Sequence, residues 1–205
     1  MINLQRIMRL NLPKTLGLAV LVSLLILLYA AQRLKSQSIA LSADEQALLA
    51  ALNIPVAVPT YIPNGFSLSE IKVNYCSPNS LGGNCRNGSS YDIIYRNSDR
   101  NCIRVEAIGG GLGGPDSEFH YATQTELLGA VDIRFGEIPG SGRTPTAEQL
   151  TVPQPNLFNF PEAAGSASSP FYAVRVEENH YSCGENTSVS PREFERVLQS
   201  LVLLE

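Results

Sequence analysis

Two histidines are the side chains in this sequence best suited to catalysis or metal binding. His120 and His180 each follow a glutamate by two residues, Glu118 and Glu178. If these segments are extended, each pair projects from one face and could act in acid–base chemistry or bind a metal. Neither histidine belongs to an H-E-x-x-H motif or lies near a G-x-S-x-G motif. We therefore expect both histidines and their glutamates to be surface residues of strands. We predict neither a catalytic residue nor a metal site.

The four cysteines predict two disulfide bonds. Cys76 and Cys85 bracket eight residues, SPNSLGGN, whose proline and glycines allow a tight turn. Cys102 and Cys183 lie in phase with the outward-facing positions of two predicted strands, so they can pair if those strands are neighbours. A structural zinc ion bound through His180-x-x-Cys183 is the alternative. It is less favoured, because zinc needs four donors and no Cys-x-x-Cys pair is present.

A glycine run over residues 109–114, GGGLGG, matches the G-x-G-x-x-G pattern of a dinucleotide-binding loop. Such a loop must lead into a helix whose amino end faces the pyrophosphate. Here the run is followed by Pro115, Asp116, Ser117 and Glu118, which bring two acidic groups and no apolar helical stripe. The pattern is better explained by a flexible turn, and we predict no cofactor.

Residues 15–31 are 17 uncharged and mostly aliphatic residues, which as a helix would reach roughly 25 Å, enough for a short membrane span. Three cations precede the segment and two follow it, which favours a cytoplasmic amino terminus. We predict a retained signal anchor of a single-pass membrane protein, with the rest of the chain in the periplasm or an equivalent lumen. A signal peptide cleaved after residues 38–40 is the main alternative. A buried core helix is the other, although a helix apolar on every face suits lipid better.

The chain beyond the predicted anchor is acidic and long enough for one folded domain. Residues 1–35 carry five cations and no acid, which leaves 10 cations against all 19 acidic groups, a formal charge of −9 after residue 35. A domain with this much negative charge should be repelled by the phosphate backbone of nucleic acids. We therefore exclude nucleic acid as a partner. The predicted division is a cytoplasmic tail with anchor over 1–36 and an extracytoplasmic domain over 37–205.

Helix signals occur at both ends of this domain. Residues 42–45 have capping-box spacing, and Leu48, Leu49 and Leu52 come next at helical spacing. Residues 190–193 combine a capping serine, a proline at the first helical position and a glutamate at the third. The apolar stripe of this last helix needs a sheet to pack against.

Apolar residues alternate with polar ones between the two helices, which predicts strands with one buried face. The inward positions are Ile71, Val73 and Tyr75, then Tyr91, Ile93 and Tyr95, then Ile103, Val105 and Ala107, then Val131, Ile133 and Phe135, and finally Tyr172, Val174 and Val176. Polar hairpin loops favour antiparallel neighbours. The predicted fold is α+β, an antiparallel sheet with helices packed on one face.

Residues 137–170 form a stretch rich in Pro, Gly, Ser and Ala that is far longer than an ordinary connection. Leu157, Phe158 and Phe160 stand out in it because large apolar residues are otherwise rare there. We predict a long loop of which part packs against the domain, and these three residues are the candidate partner-binding group.

Three landmarks together resemble a bacterial extracytoplasmic domain family of unknown function. They are the segment Pro-x-Tyr-Ile-Pro-x-Gly-Phe-x-Leu over residues 59–68, a hairpin ending near Tyr95 and Ile103, and the terminal helix over 190–201. Members commonly follow a single membrane span, in proteins similar to anti-sigma factors or lipoprotein carriers. The resemblance implies a membrane-anchored domain with a curved sheet and no assigned catalytic residue. The four cysteines and the 137–170 insertion depart from the family pattern.

Two functional classes are consistent with these observations. The favoured one is a non-enzymatic binding or scaffold module that presents a sheet face or the long loop to a protein partner or an apolar ligand. The alternative is a secreted hydrolase or metal-dependent enzyme that uses His120 or His180 with nearby carboxylates. An enzyme should bring a histidine and a carboxylate together in a pocket, whereas a module should leave them apart and solvated.

Overall fold

A computed structural model describes residues 41–77, 85, 88–108, 116–161, 171–177, 181–184 and 189–204. The chain divides into two units, residues 1–36 and 37–205, and the described residues all belong to the second. The predicted anchor at 15–31 lies outside the described residues. Within the described ranges, no helix is both long enough and apolar enough to cross a membrane.

The described residues form two helices and nine strands, which confirms the α+β class. The helices are α1 (Ala43–Ala50) and α2 (Pro191–Gln199). The strands are β1 (Ala57–Pro59), β2 (Ser67–Asn74), β3 (Ser90–Arg96), β4 (Cys102–Ile108), β5 (Phe119–Thr125), β6 (Gly129–Phe135), β7 (Phe158–Pro161), β8 (Phe171–Glu177) and β9 (Leu201–Leu203).

Seven of these strands form one antiparallel sheet in the order β2-β3-β4-β8-β7-β6-β5. Strands β1 and β9 pair separately. Strands β4 and β8, which carry or precede the two distant cysteines, are direct neighbours. The prediction of a Cys102–Cys183 bridge required these two strands to be neighbours, and they are.

Both helices begin at the residues that their sequence signals indicate. The Ser42 hydroxyl accepts a hydrogen bond from the Glu45 backbone N–H, and the Glu45 carboxylate accepts one from the Ser42 N–H. Ser190 caps α2 in the same way through the Glu193 N–H, with proline at the first helical position. The first helix ends at Ala50, before Leu52, and Leu48 is 42% exposed although its spacing predicted a packed position.

The hydrophobic core lies between the two helices and one face of the sheet. Its fully buried members include Leu49 of the first helix, Phe194, Val197 and Leu198 of the second, and Tyr91, Ile93, Tyr95, Ile103, Val105, Ile133, Phe135 and Val174 of the strands. Both helices thus contribute to one core with the inward positions that alternation predicted. The opposite side of the sheet carries its charges, and we call it the outer face.

Tyr75 departs from the predicted alternation. Strand β2 ends at Asn74, and Tyr75 beyond it is 62% exposed. The prediction that Tyr75 belongs to the buried stripe is wrong, because alternation determines a side chain's direction only while the strand continues.

Four strands were missing from the sequence-based prediction: the short pair β1 and β9, and strands β5 and β7 of the seven-stranded sheet. Strand β5, FHYATQT, has large apolar residues at only two of its inward positions, so its sequence shows no long buried stripe. Strand β7, FNFP, lies within the predicted loop and pairs with β8 at only one position, Phe158 opposite Arg175. The Asn159 side chain adds two hydrogen bonds to the backbone of β8 beside that single pair. This side chain, on a residue that is 1% exposed, donates to the Tyr172 carbonyl at 3.3 Å and accepts from the Val174 N–H at 2.6 Å.

Candidate functional site

The centre of the outer face is occupied by mutually paired charges. Glu106 is 4% exposed and forms ion pairs with Arg104 at 3.4 Å and with Arg175 at 2.5 Å. Burial raises the pKa of Glu106 above its usual value, and the two arginines oppose that shift. Arg104 also contacts Asp92 at 3.5 Å. Two arginines and two carboxylates balance one another here, so the centre of the face is best explained as structural.

A disulfide covers the outer face beside this centre. Cys102 and Cys183 are joined, with their Cα atoms 5.7 Å apart, and pack with the fully buried Ile94. The Arg100 guanidinium donates to the Ser182 carbonyl at 3.1 Å and to the Cys183 carbonyl at 3.2 Å. The bridge and the arginine together fasten residues 181–184 to the β3–β4 turn.

The second disulfide joins Cys76 to Cys85, with their Cα atoms 5.4 Å apart. Both bridges therefore connect the pairs predicted from spacing and strand phase. No free cysteine occurs among the described residues. A cysteine nucleophile is thus not available in that part of the chain.

The β5 end of the outer face carries a histidine held by a carboxylate. His120 Nδ1 lies 3.2 Å from Asp132 Oδ1, and Arg134 Nε donates to Asp132 Oδ2 at 2.8 Å. Strand register explains the arrangement, because His120 on β5 is directly opposite Arg134 on β6, and Asp132 lies two residues from Arg134 on the same face. Arg134 Nη1 also lies 3.5 Å from Asp116 Oδ1.

A pocket of about 260 Å³ opens beside this histidine. It is lined by Asp116, Ser117, His120, Arg134 and Gly142. The Ser117 hydroxyl donates to the Phe119 carbonyl at 2.9 Å, and Ser117 is only 1% exposed. Ser117 is therefore engaged in supporting the pocket wall rather than presented as a nucleophile.

An aromatic pair lies next to the pocket. Phe158 and Phe160 alternate along β7, so both project from the outer face, where they are partly exposed. Their ring centroids are 6.3 Å apart in an edge-to-face arrangement. The Arg134 guanidinium lies 4.6 Å from the Phe160 ring centroid and lines the pocket on its other side. We call this group of residues, His120, Asp132, Arg134, Phe158 and Phe160, the β5–β7 site.

The structure separates the three residues of the predicted partner-binding group. Leu157 is 0% exposed and belongs to the hydrophobic core, whereas Phe158 and Phe160 face the opposite side. A partner could therefore contact the two phenylalanines but not Leu157. Residues 157–160 alternate between the two faces of the sheet although they lie within the predicted loop. That alternation was the sequence signal that Leu157 and the two phenylalanines face opposite sides.

His120 lies with a different carboxylate from the one that sequence spacing suggested. Glu118 forms an ion pair with Arg143, and His120 contacts Asp132 instead. Asp132 is distant in sequence, so only strand register could have identified it. His180, Glu178 and the glycine run 109–114 lie outside the described residues. In the described part of the chain, no group of three or more His, Cys, Asp or Glu residues could hold a metal ion.

The sequence and the fold were compared with known families, proteins and structures. No protein-family model matches the chain. Searches of curated proteins and of solved structures likewise find no match.

Proposed function

We propose that the chain is a membrane-anchored extracytoplasmic binding module whose ligand surface is the β5–β7 site. The carrying observation is the Phe158–Phe160 pair, which remains partly exposed on the outer face beside the Arg134-lined pocket. Both helices pack on the other side of the sheet, where they contribute to the core. Phenylalanine and arginine are both enriched in protein–protein interfaces relative to the rest of the protein surface.

The geometry favours a partner that packs an apolar group against the exposed surface of the two rings. Arg134 is held by Asp132 and Asp116, so its guanidinium is positioned before a ligand arrives. A polar group on the partner can then enter the pocket, where His120 and Arg134 offer hydrogen bonds. A protein segment that combines an apolar side chain with a neighbouring polar group satisfies both features. A small apolar ligand would satisfy only the first.

The anchor is the first part of this proposal to test. We expect the mature chain to retain residues 15–31 and to remain with membranes after a high-salt wash, because that segment is long enough to span the bilayer. Intact-mass spectrometry of the membrane-purified chain measures this directly. A mature amino terminus at Leu41 would instead establish a cleaved signal peptide and a secreted domain.

Binding is tested with the full chain in native membranes. We expect the Phe158→Ala/Phe160→Ala variant to lose at least about tenfold in cross-linking to its specific partner, because each ring is a central apolar contact. Tyr75→Ala is the matched control, since Tyr75 is also an exposed aromatic residue but lies beyond the end of β2. Equal cross-linking by the wild type, the phenylalanine variant and the control would contradict the proposal.

A second function, that of a hydrolase, is favoured by the arrangement expected of an enzyme, because His120 and Asp132 lie together at the edge of a pocket rather than apart. Binding is preferred as the main proposal because the serine in the pocket wall, Ser117, is buried and its hydroxyl is already hydrogen-bonded to the Phe119 carbonyl. A carboxylate on Nδ1 orients a histidine so that Nε2 can accept a proton from water, as in general-base hydrolysis. This function requires turnover that His120→Ala abolishes and Asp132→Asn lowers. Turnover that survives His120→Ala, or its absence with ester and phosphate substrates, leaves binding as the role of the site.

A further inference from the structure

Strand β2 forms one edge of the seven-stranded sheet. It pairs with β3, and among the described strands it has no neighbour on its other side. A strand edge presents backbone N–H and C=O groups that can pair with a strand of another chain. The register with β3 shifts between Leu68 and Glu70 but runs without interruption from Glu70 to Asn74. That regular stretch contains no proline, so it keeps its backbone donors.

The side chains along this edge alternate between the two faces. Ile71 is paired with the buried Ile93, which places it on the core side. Glu70 and Lys72 lie on the outer face, with side chains 40% and 50% exposed, and their charged atoms are 3.4 Å apart. The edge therefore carries one negative and one positive group, two residues apart on the same side. The Lys72 ammonium also lies 4.2 Å from the centroid of the Tyr181 ring on the outer face.

We propose that a second copy of this chain pairs with the first through β2, in an antiparallel arrangement around a two-fold axis at Ile71. In this register Glu70 of each copy lies opposite Lys72 of the other, which gives two complementary charge pairs across the new strand junction. Ile71 then lies opposite its own counterpart on the core side.

Neighbouring registers are unfavourable for the same charges. Moving the axis one residue towards the amino terminus places Glu70 opposite Glu70, and moving it one residue towards the carboxyl terminus places Lys72 opposite Lys72. Like charges directly opposite one another destabilise an antiparallel pair. Charge therefore selects the Ile71 register among these three.

The symmetry has a consequence for the β5–β7 site. A two-fold axis perpendicular to the sheet keeps the outer faces of both copies on the same side. The dimer would consequently present two β5–β7 sites on one surface, which suits a partner with two binding segments.

Charge exchange tests the pairing with the full chain in detergent micelles. Lys72→Glu makes the edge wholly acidic and Glu70→Lys makes it wholly basic, so each variant should weaken dimerisation at least about tenfold by sedimentation equilibrium. The double variant Glu70→Lys/Lys72→Glu restores opposite charges and should dimerise within about threefold of the wild type. Mixing the two single variants should produce a mixed dimer.

Thermal melts serve as the folding control, because both side chains are about half exposed and the single variants should unfold near the wild-type temperature. A monomeric wild type would overturn the proposal. Dimerisation that is equally tight in all variants would also overturn it, since another surface or the amino-terminal segment would then join the copies. Phe158→Ala/Phe160→Ala should leave dimerisation unchanged, because the two rings lie far from β2 in the strand order; dimerisation and partner binding are therefore tested independently.

Discussion

The Cys102→Ala/Cys183→Ala variant is expected to lose about 4.5 kcal/mol in its free energy of unfolding, according to the chain-entropy model of disulfide stabilisation. The bridge spans a sequence separation of 81 residues, so its removal frees a long loop in the unfolded chain. Cys102 and Cys183 are 0% and 3% exposed, which is why alanine is preferred to serine, whose hydroxyl would be buried. Urea denaturation followed by circular dichroism gives the difference.

The second bridge provides the matched control for loop length. Cys76 and Cys85 are only 9 residues apart in sequence, so the same model predicts a loss of about 2.5 kcal/mol for Cys76→Ala/Cys85→Ala. A larger loss for the short loop than for the long one would contradict the entropic explanation. Peptide mapping without reduction checks the premise, and a peptide that joins Cys76 to Cys102 would show that the strand pairing is wrong.

The Cys76–Cys85 pairing was predictable from local sequence, because the eight residues between the cysteines allow a tight turn. The Cys102–Cys183 pairing was also predicted correctly, but only part of its argument holds. Alternation places Cys102 on the face opposite Ile103, whereas β8 ends at Glu177, so the count that reaches Cys183 runs beyond the strand. The adjacency of β4 and β8, which had to be assumed, is present in the structure. The helix starts at Ser42 and Ser190 were predictable from local sequence as well, since a cap is defined by residues within one turn.

The β5–β7 site was not predictable in the same way. The contact of His120 with Asp132 requires that β5 and β6 pair in a particular register. Only two inward positions of β5, Phe119 and Tyr121, carry large apolar residues, which is too short a pattern to reveal the strand. Strand β7 was hidden for a different reason. Its link to β8 depends largely on the Asn159 side chain, and an asparagine in a segment rich in proline indicates a turn more often than a strand.

Leu157→Ala is expected to lower the free energy of unfolding by about 3 to 4 kcal/mol, because it removes a fully buried side chain and leaves a cavity. Leu157 is 0% exposed, and its carbonyl accepts a hydrogen bond from the Val176 N–H at 2.8 Å, so it fastens the start of β7 to β8. Urea denaturation of the variant measures the loss.

Phe158 and Phe160 of β7, which follow Leu157 in the chain, provide the control. Phe158 and Phe160 are partly exposed, so alanine at each position should cost only about 1 kcal/mol of stability. The expected effects of substituting Leu157 and the two phenylalanines are therefore opposite. Substitution on the core side lowers stability while the remaining folded protein still binds, and substitution on the outer face lowers binding while stability is nearly kept. If Phe158→Ala and Phe160→Ala destabilised the domain as much as Leu157→Ala, their rings would be structural, and the β5–β7 site would lose its main support as a binding surface.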